Sequence, residues 1–185
     1  MECPICDSIN VQTEYRSYAM NDYGFGVTLL NAEFISCSDC GEVTYTIPKY
    51  NIVKKQVREL LCSLKRTLSG AEFAFLRAEL GMRGQEYANV SGVSNVTVSR
   101  WENDKVDIPK SADRALRNLT LISLGYSYGS LVKLLSNVDN DGNDRLEVDL
   151  NKFNDGSSYS YETCFPMSTE HQSGQNWKVH VNNNN

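Results

Sequence analysis

Two short cysteine motifs constrain this chain more than any other feature. Cys3 and Cys6 stand in CPIC, Cys37 and Cys40 in CSDC, and thirty residues separate the pairs. Two thiolates two residues apart can both reach one ion from a tight turn. Two such turns complete a tetrahedral shell for Zn²⁺ with Zn–S bonds of about 2.3 Å. A domain of under about 50 residues with few aliphatic side chains needs such a staple, because its own core is too small to hold it. Gly41, directly after the second pair, suits a turn that aims N–H groups at sulfur; Asp7 holds the same place after the first pair and is less permissive. A thioredoxin-like dithiol would need a βαβ pattern, which is missing. A catalytic ion would need an open position and a placed His or Glu, whereas four sulfurs close the shell. Structural zinc held by Cys3, Cys6, Cys37 and Cys40 is therefore the expectation. Of the other two cysteines, Cys62 reads as a buried small hydrophobe and Cys164 as a strand residue without a role; His171 and His180 read as solvated.

Around the cysteines, residues 1–47 contain alternating aromatic-rich stretches, VQTEYRSY and VTLLNAEFISC, which read as strands joined by the turn NDYGFG. After Pro48, Val53, Val57, Leu60, Leu61, Leu64 and Leu68 recur at three- and four-residue spacing, so residues 48–68 read as a linking helix. Residues 69–136 read as a run of short helices. In SGAEFAFLRAELG, Ser69 is the cap, Glu72 completes a capping box and Gly81 is the stop. GQEYANVSG, SNVTVSRWEN, SADRALRNLTLISLG and SYGSLVKLLSN follow. Residues 137–185 are acidic and polar, with strand-like alternation in RLEVDLNKF, SYSYETCF and NWKVHV, an NDG turn, and a terminal NNNN expected to be unstructured. The expected class is α+β multidomain: a small β-rich domain that binds zinc through four cysteines, an all-α domain, and a tail that is either a small β-meander or disordered.

The chain carries a net charge of −5, but its distribution is uneven. Residues 1–48 carry −6, residues 49–117 carry +5 and residues 118–185 carry −4. A local field decides where a polyanion docks, so an acidic whole does not exclude a nucleic-acid partner for the basic middle. There is no apolar run of membrane-spanning length, and the opening MECPIC has neither a basic nor an apolar leader region. No membrane association and a reducing cytoplasmic location are expected.

The basic middle contains GVSNVTVSRWEN. On a helical wheel, Asn95, Val96, Ser99, Arg100 and Asn103 share an arc roughly 140° wide, while Thr97, Val98 and Trp101 face the other way. Trp101 reads as core. Ser94 caps the helix, and its hydroxyl with the free N–H groups behind it suits a phosphate. Two short helices joined by a glycine turn, the second amphipathic, are the parts of a helix-turn-helix. Arg100 can fork onto guanine O6/N7 and Asn95 can pair with adenine N6/N7. Val96 can meet a thymine methyl, and Ser99 can read a base or a backbone oxygen. Arg83, Gln85, Ser94, Lys105 and Lys110 are candidates for phosphate contacts, which position without specifying. The competing readings are an Arg100–Asp104 surface ion pair and a local capping role for Asn95.

LRAELGMRGQEYANVSGVSNVTVSRWEN resembles the Cro/phage-repressor (XRE) helix-turn-helix, most specifically in its last twelve residues. With the paired Cys-x2-Cys motifs and LSGAEFAFLR, residues 1–135 resemble the YgiT/MqsA-type zinc-finger/helix-turn-helix family. That resemblance implies an antitoxin of a type II toxin–antitoxin system or, as in related proteins without a known toxin, a non-antitoxin regulator. Its zinc domain would engage a toxin, and its helix-turn-helix would dimerise on a palindromic operator in double-stranded DNA to repress its own operon. Three features depart from the family: Gly84 stands where a glutamine is usual, with Gln85 after it; Val96 occupies an often polar recognition position; and the tail from Asp139 has no counterpart in short antitoxins. Residues 111–124, with Ala115, Leu116, Leu119 and Ile122, form the candidate dimer surface of a homodimer; the competing reading makes them the last core helix of the domain.

Two rivals remain. The acidic zinc domain and tail could make the chain an adapter for a basic partner, such as a toxin, with the helices as scaffold; or the cysteine pairs could act as a thiol redox sensor. No Ser/His/Asp set, open metal site or nucleotide loop is present, so no enzymatic role is expected. DNDGND fails as a calcium loop, since its twelfth position falls on Val148 and Glu147 is one place short. YGFG reads as a hairpin turn because no Lys-Ser/Thr follows.

Overall fold

The computed structural model describes residues 1–48, 50–136, 145–153 and 161–164. Three strands come first: β1 (Val11–Met20), β2 (Val27–Cys37) and β3 (Val43–Pro48). Six helices follow: α1 (Tyr50–Ser63), α2 (Gly70–Glu79), α3 (Gly84–Ser91), α4 (Asn95–Glu102), α5 (Lys110–Ser123) and α6 (Tyr128–Leu135). Two short strands, β4 (Glu147–Asp149) and β5 (Tyr161–Cys164), come last, with a 3₁₀ turn at Leu150–Phe153 after β4. This is the α+β architecture expected. NWKVHV, the NDG turn, DNDGND, His171 and His180 lie outside the described residues.

The strands form one sheet in the order β1-β2-β3-β5, with β4 also paired to β2. β2 and β3 are antiparallel, with Phe34 opposite Tyr45 and Ser36 opposite Val43. β3 and β5 are antiparallel, with Tyr45 opposite Cys164 and Pro48 opposite Tyr161. Thus both described strands of the tail join the N-terminal sheet. The sequence alternation showed that they could be strands but not what they would pair with. Leu146, Val148 and Leu150 are all under a tenth exposed, so this stretch of a polar tail is core. β2 changes phase along its length. Val27 and Leu29 are buried, then Ala32 and Phe34, then Cys37. Asn31 accounts for the first shift: its φ of 59° breaks the pleat, as a bulge residue does, and its Nδ2 donates to Asp149 Oδ1 at 2.9 Å.

The chain divides into two compact units. The first holds residues 1–18, 30–50 and 149 onward; the second holds 19–29 and 51–148. In the first, Tyr18, Phe34 and Tyr45 stack, with Tyr18 and Tyr45 ring centroids 4.5 Å apart, and the Arg16 guanidinium sits 3.9 Å over the Phe34 ring. In the second, the turn joining β1 to β2 belongs with the helices. Its Tyr23 and Phe25 rings pack on Phe75 of α2 at 4.7 and 5.4 Å.

Helix α1 is shorter than the linking helix read over residues 48–68. Leu64 and Leu68 are buried as their spacing suggested, but from non-helical backbone. The cause is Arg117 of α5, fully buried, whose guanidinium gathers the carbonyls of Cys62, Leu64 and Arg66 at 3.4, 2.7 and 2.6 Å. Carbonyls turned to one cation cannot continue a helical ladder. Asp113 completes the arrangement, lying 2.9 Å from Arg117 Nε and accepting the Leu68 N–H at 3.0 Å. Cys62 is fully buried as expected, and burial pushes its thiol up to about 12.

Helix α2 starts where its capping box lies. The Ser69 hydroxyl accepts the Glu72 N–H, and the Glu72 carboxylate accepts the Ser69 N–H at 2.8 Å. Glu72 also takes both Arg66 amino groups at 2.7 Å. Burial raises the Glu72 pKa, but the Arg66 guanidinium and Ser69 outweigh it and leave the carboxyl below its ordinary value. Among the described residues no helix is long and apolar enough to cross a membrane.

Candidate functional site

The first site is the four cysteines, all in the first unit. The Sγ atoms of Cys3, Cys6, Cys37 and Cys40 all lie within 4.8 Å of one another. Cys3–Cys40 and Cys6–Cys37 are each 3.7 Å apart. A tetrahedron of thiolate bonds about 2.3 Å long has edges of about 3.8 Å, so the four sulfurs suit one four-coordinate ion. Cys3 and Cys37 are buried while Cys6 and Cys40 reach the surface.

The two turns are built alike. Asp7 and Gly41 donate their N–H groups to Cys3 O and Cys37 O at 2.9 and 3.0 Å, and Cys3 and Cys37 donate theirs to Ser8 O and Glu42 O at 2.7 and 2.9 Å. Both closing residues are left-handed, Asp7 at φ 59° and Gly41 at φ 74°. The less permissive Asp7 is thus held in the same conformation as Gly41. Asp39 ties the turns together, accepting from the Ser8 hydroxyl and from Asn10 Nδ2 at 3.0 and 3.2 Å. Those bonds, Ser8 first, hold its carboxyl below the usual carboxylate range.

Backbone N–H groups aim at sulfur as the motif requires. Cys40 and Asp39 donate to Cys37 and, against burial, bring it down to about 7 with the help of neighbouring thiols. Ser8 likewise lowers Cys6, but the Cys40 thiol, burial and the other two thiols outweigh it and push Cys6 up to about 12. A bound dication would favour the thiolate form of all four sulfurs.

The second site is the outer face of α4, in the second unit. Ser94 caps it, accepting the Thr97 N–H at 3.1 Å and pairing with the Thr97 hydroxyl at 2.8 Å. Gly92, at φ 70°, closes α3 in the left-handed conformation that lets the chain turn into α4. Val98 is fully buried and Trp101 is 4% exposed. Trp101 packs edge-on to Phe73 at 5.9 Å, and Phe73 meets Tyr87 at 5.3 Å. Asn95, Val96, Ser99 and Arg100 are all exposed, Val96 to 60%. The structure therefore brings these four residues to one solvent-facing arc, with the indole behind them.

Asp104, the partner that a surface ion pair with Arg100 would need, is engaged elsewhere: its Oδ1 accepts the Gly70 N–H at 2.7 Å. Arg100 has no ion pair among the described residues. The capping reading of Asn95 is met instead by Ser94.

Of the five candidate phosphate residues, Lys105 and Lys110 are exposed. Arg83 is exposed at the start of α3, 3.5 Å from Glu86. Gln85 is exposed too, and its Nε2 donates to Asn89 Oδ1 at 2.9 Å. Ser94 is exposed with its hydroxyl committed to the cap. On the candidate dimer surface, Leu116 is fully buried in the core, whereas Ala115 and Ile122 are exposed and Leu119 is half-buried. Leu116 is thus a correction: it faces inward, and the exposed stripe of α5 runs through Ala115, Leu119 and Ile122. The buried Arg117–Asp113 pair was missed, since an arginine on an amphipathic helix ordinarily reads as solvated.

A family model described as the antitoxin component of a bacterial toxin-antitoxin system matches residues 1–122, two thirds of the chain. The chain is an antitoxin by descent, and the family to which it belongs is MqsA. Membership implies a toxin partner. No match was found among curated proteins or solved structures. The matched region ends within α5, so α6, β4 and β5 lie beyond it.

Proposed function

We propose that this antitoxin is a sequence-specific DNA-binding repressor, a cytoplasmic homodimer that acts on its own operon through a helix-turn-helix formed by α3 and α4. It binds rather than catalyses. The observation that carries the reading is the partition of α4: Trp101 and Val98 are buried, while Asn95, Val96, Ser99 and Arg100 are exposed on one arc. In a major groove, Arg100 would fork onto guanine, Asn95 would pair with adenine, Val96 would meet a thymine methyl, and Ser99 would read a neighbouring base or oxygen. Arg83, Gln85, Lys105, Lys110 and the capped N-terminus at Ser94 would hold phosphates. A homodimer implies a palindromic site with half-sites about one helical turn apart.

Zinc is the ion assigned to Cys3, Cys6, Cys37 and Cys40, in a structural role, because a closed four-thiolate shell leaves no position for substrate. Once bound, it supplies the cross-link that the small sheet lacks. The surrounding segment, net −6 over residues 1–48, suits a basic toxin.

Selection from a random DNA pool tests the reading. The chain should enrich an inverted repeat, and Arg100→Ala should lose that preference while still binding the toxin encoded beside it. Equal behaviour of the two proteins toward DNA would instead support an adapter whose helices are scaffold.

A further inference from the structure

Gly84 is the first residue of α3, and its backbone is ordinary right-handed helix, so no turn requires a glycine there. Glycine at such a position is less favourable than alanine. What occupies the space of the missing side chain is Asn95. A Cβ on Gly84 would stand 3.0 Å from Asn95 Oδ1, and no other atom is that near. That is tighter than ordinary Cβ contacts, so beside an alanine the carboxamide oxygen would have to give by a few tenths of an ångström. Asn95 is exposed, so a Cβ at Gly84 would shift the carboxamide rather than disturb the fold.

We propose that Gly84 is a positioning residue for base readout. By having no side chain, it lets the Asn95 carboxamide lean against the start of α3, and that placement sets which base Asn95 reads. The inference rests on the DNA-binding reading above and adds a specificity determinant to it. Recognition of adenine by a carboxamide needs both its oxygen and its nitrogen aligned to N6 and N7. A small rotation forfeits one of the two bonds, while the phosphate contacts that set overall affinity are untouched.

The test compares the unaltered chain with Gly84→Ala, Asn95→Ala and the double variant, each used to select from a random DNA pool and each measured on random-sequence duplex. Gly84→Ala should leave random-duplex affinity within about twofold, because no charged contact changes. It should reduce discrimination at one base position per half-site by about fivefold or more, the smallest effect of losing a bidentate contact. The guanine positions read by Arg100 should be unchanged. In the Asn95→Ala background the same glycine substitution should have no further effect on base preference, which a merely structural role for Gly84 would not produce. An unchanged base profile in Gly84→Ala, or an equal shift with and without the Asn95 side chain, would overturn the inference. Absence of any sequence preference in the unaltered chain would overturn the DNA-binding reading, and this inference with it. Helical circular dichroism of each variant separates these outcomes from misfolding.

Discussion

A methyl group on Gly70 would stand 2.5 Å from the carbonyl oxygen of Trp101 and 2.6 Å from that of Glu102. Neither oxygen can move without dragging the end of α4. Gly70→Ala should therefore destabilise the second unit by about 1–3 kcal/mol despite the better helix propensity of alanine. The urea midpoint measures it, and an unchanged midpoint would mean that α4 yields freely. Arg117→Met makes a different demand. It leaves the buried Asp113 side chain and the carbonyls of Cys62, Leu64 and Arg66 without their guanidinium partner, and should cost about 3–5 kcal/mol. Arg117→Met with Asp113→Leu should recover only the part due to the unpaired charge, since the carbonyls of Cys62, Leu64 and Arg66 and the Leu68 N–H still lose their partners. At this scale the sequence was legible where chemistry is local: the capping box of Ser69 with Glu72, Ser94 as the cap of α4, and the spacing within each cysteine pair. Arg117 was not legible. Its partners Cys62, Leu64 and Arg66 lie some fifty residues away and offer carbonyls that carry no residue-type signal.

Helix α2 depends on a carboxylate in its first turn that Arg66 and Ser69 hold charged. Glu72 is almost fully buried, and its pKa lies below the ordinary 4.5. A depressed carboxyl contributes stability that is fully present above its unfolded value and lost as pH falls through the folded one. Acid unfolding of the helical unit should thus be steeper in the native chain than in Glu72→Gln, which should also lose about 1.5–3 kcal/mol near neutrality. Circular dichroism at 222 nm against pH follows both, and identical acid transitions would remove Glu72 from the account. Elements as such were readable from periodicity and caps: α2, α3 and α4 begin and end close to where Ser69, Gly81, Gly92 and Ser94 place them. The end of α1 was not, because the apolar spacing through Leu64 and Leu68 is satisfied by burial on any backbone. The pairing of β4 with β2 was equally hidden, since alternation marks a strand and not its neighbour.

The two units differ in what can stabilise them: one has four thiols placed to hold an ion, the other a packed helical core around Phe73, Tyr87 and Trp101. Chelation of the ion, or Cys37→Ser, should abolish a stoichiometry of about one zinc per chain. It should expose the amides of residues 1–18 and 30–48 to hydrogen exchange while α2 to α5 stay protected. Uniform loss of protection would show a single cooperative unit.

The antitoxin class follows from family, and the proposed function turns on how α4 would read DNA. Methylation interference at guanine N7 tests it most directly, because that atom faces the major groove where Arg100 is assigned. On the selected operator, methylation of one guanine per half-site should block binding by the native chain and make no difference to whatever binding Arg100→Ala retains. If methylation of no major-groove guanine impairs the native chain, Arg100 does not read the operator as proposed.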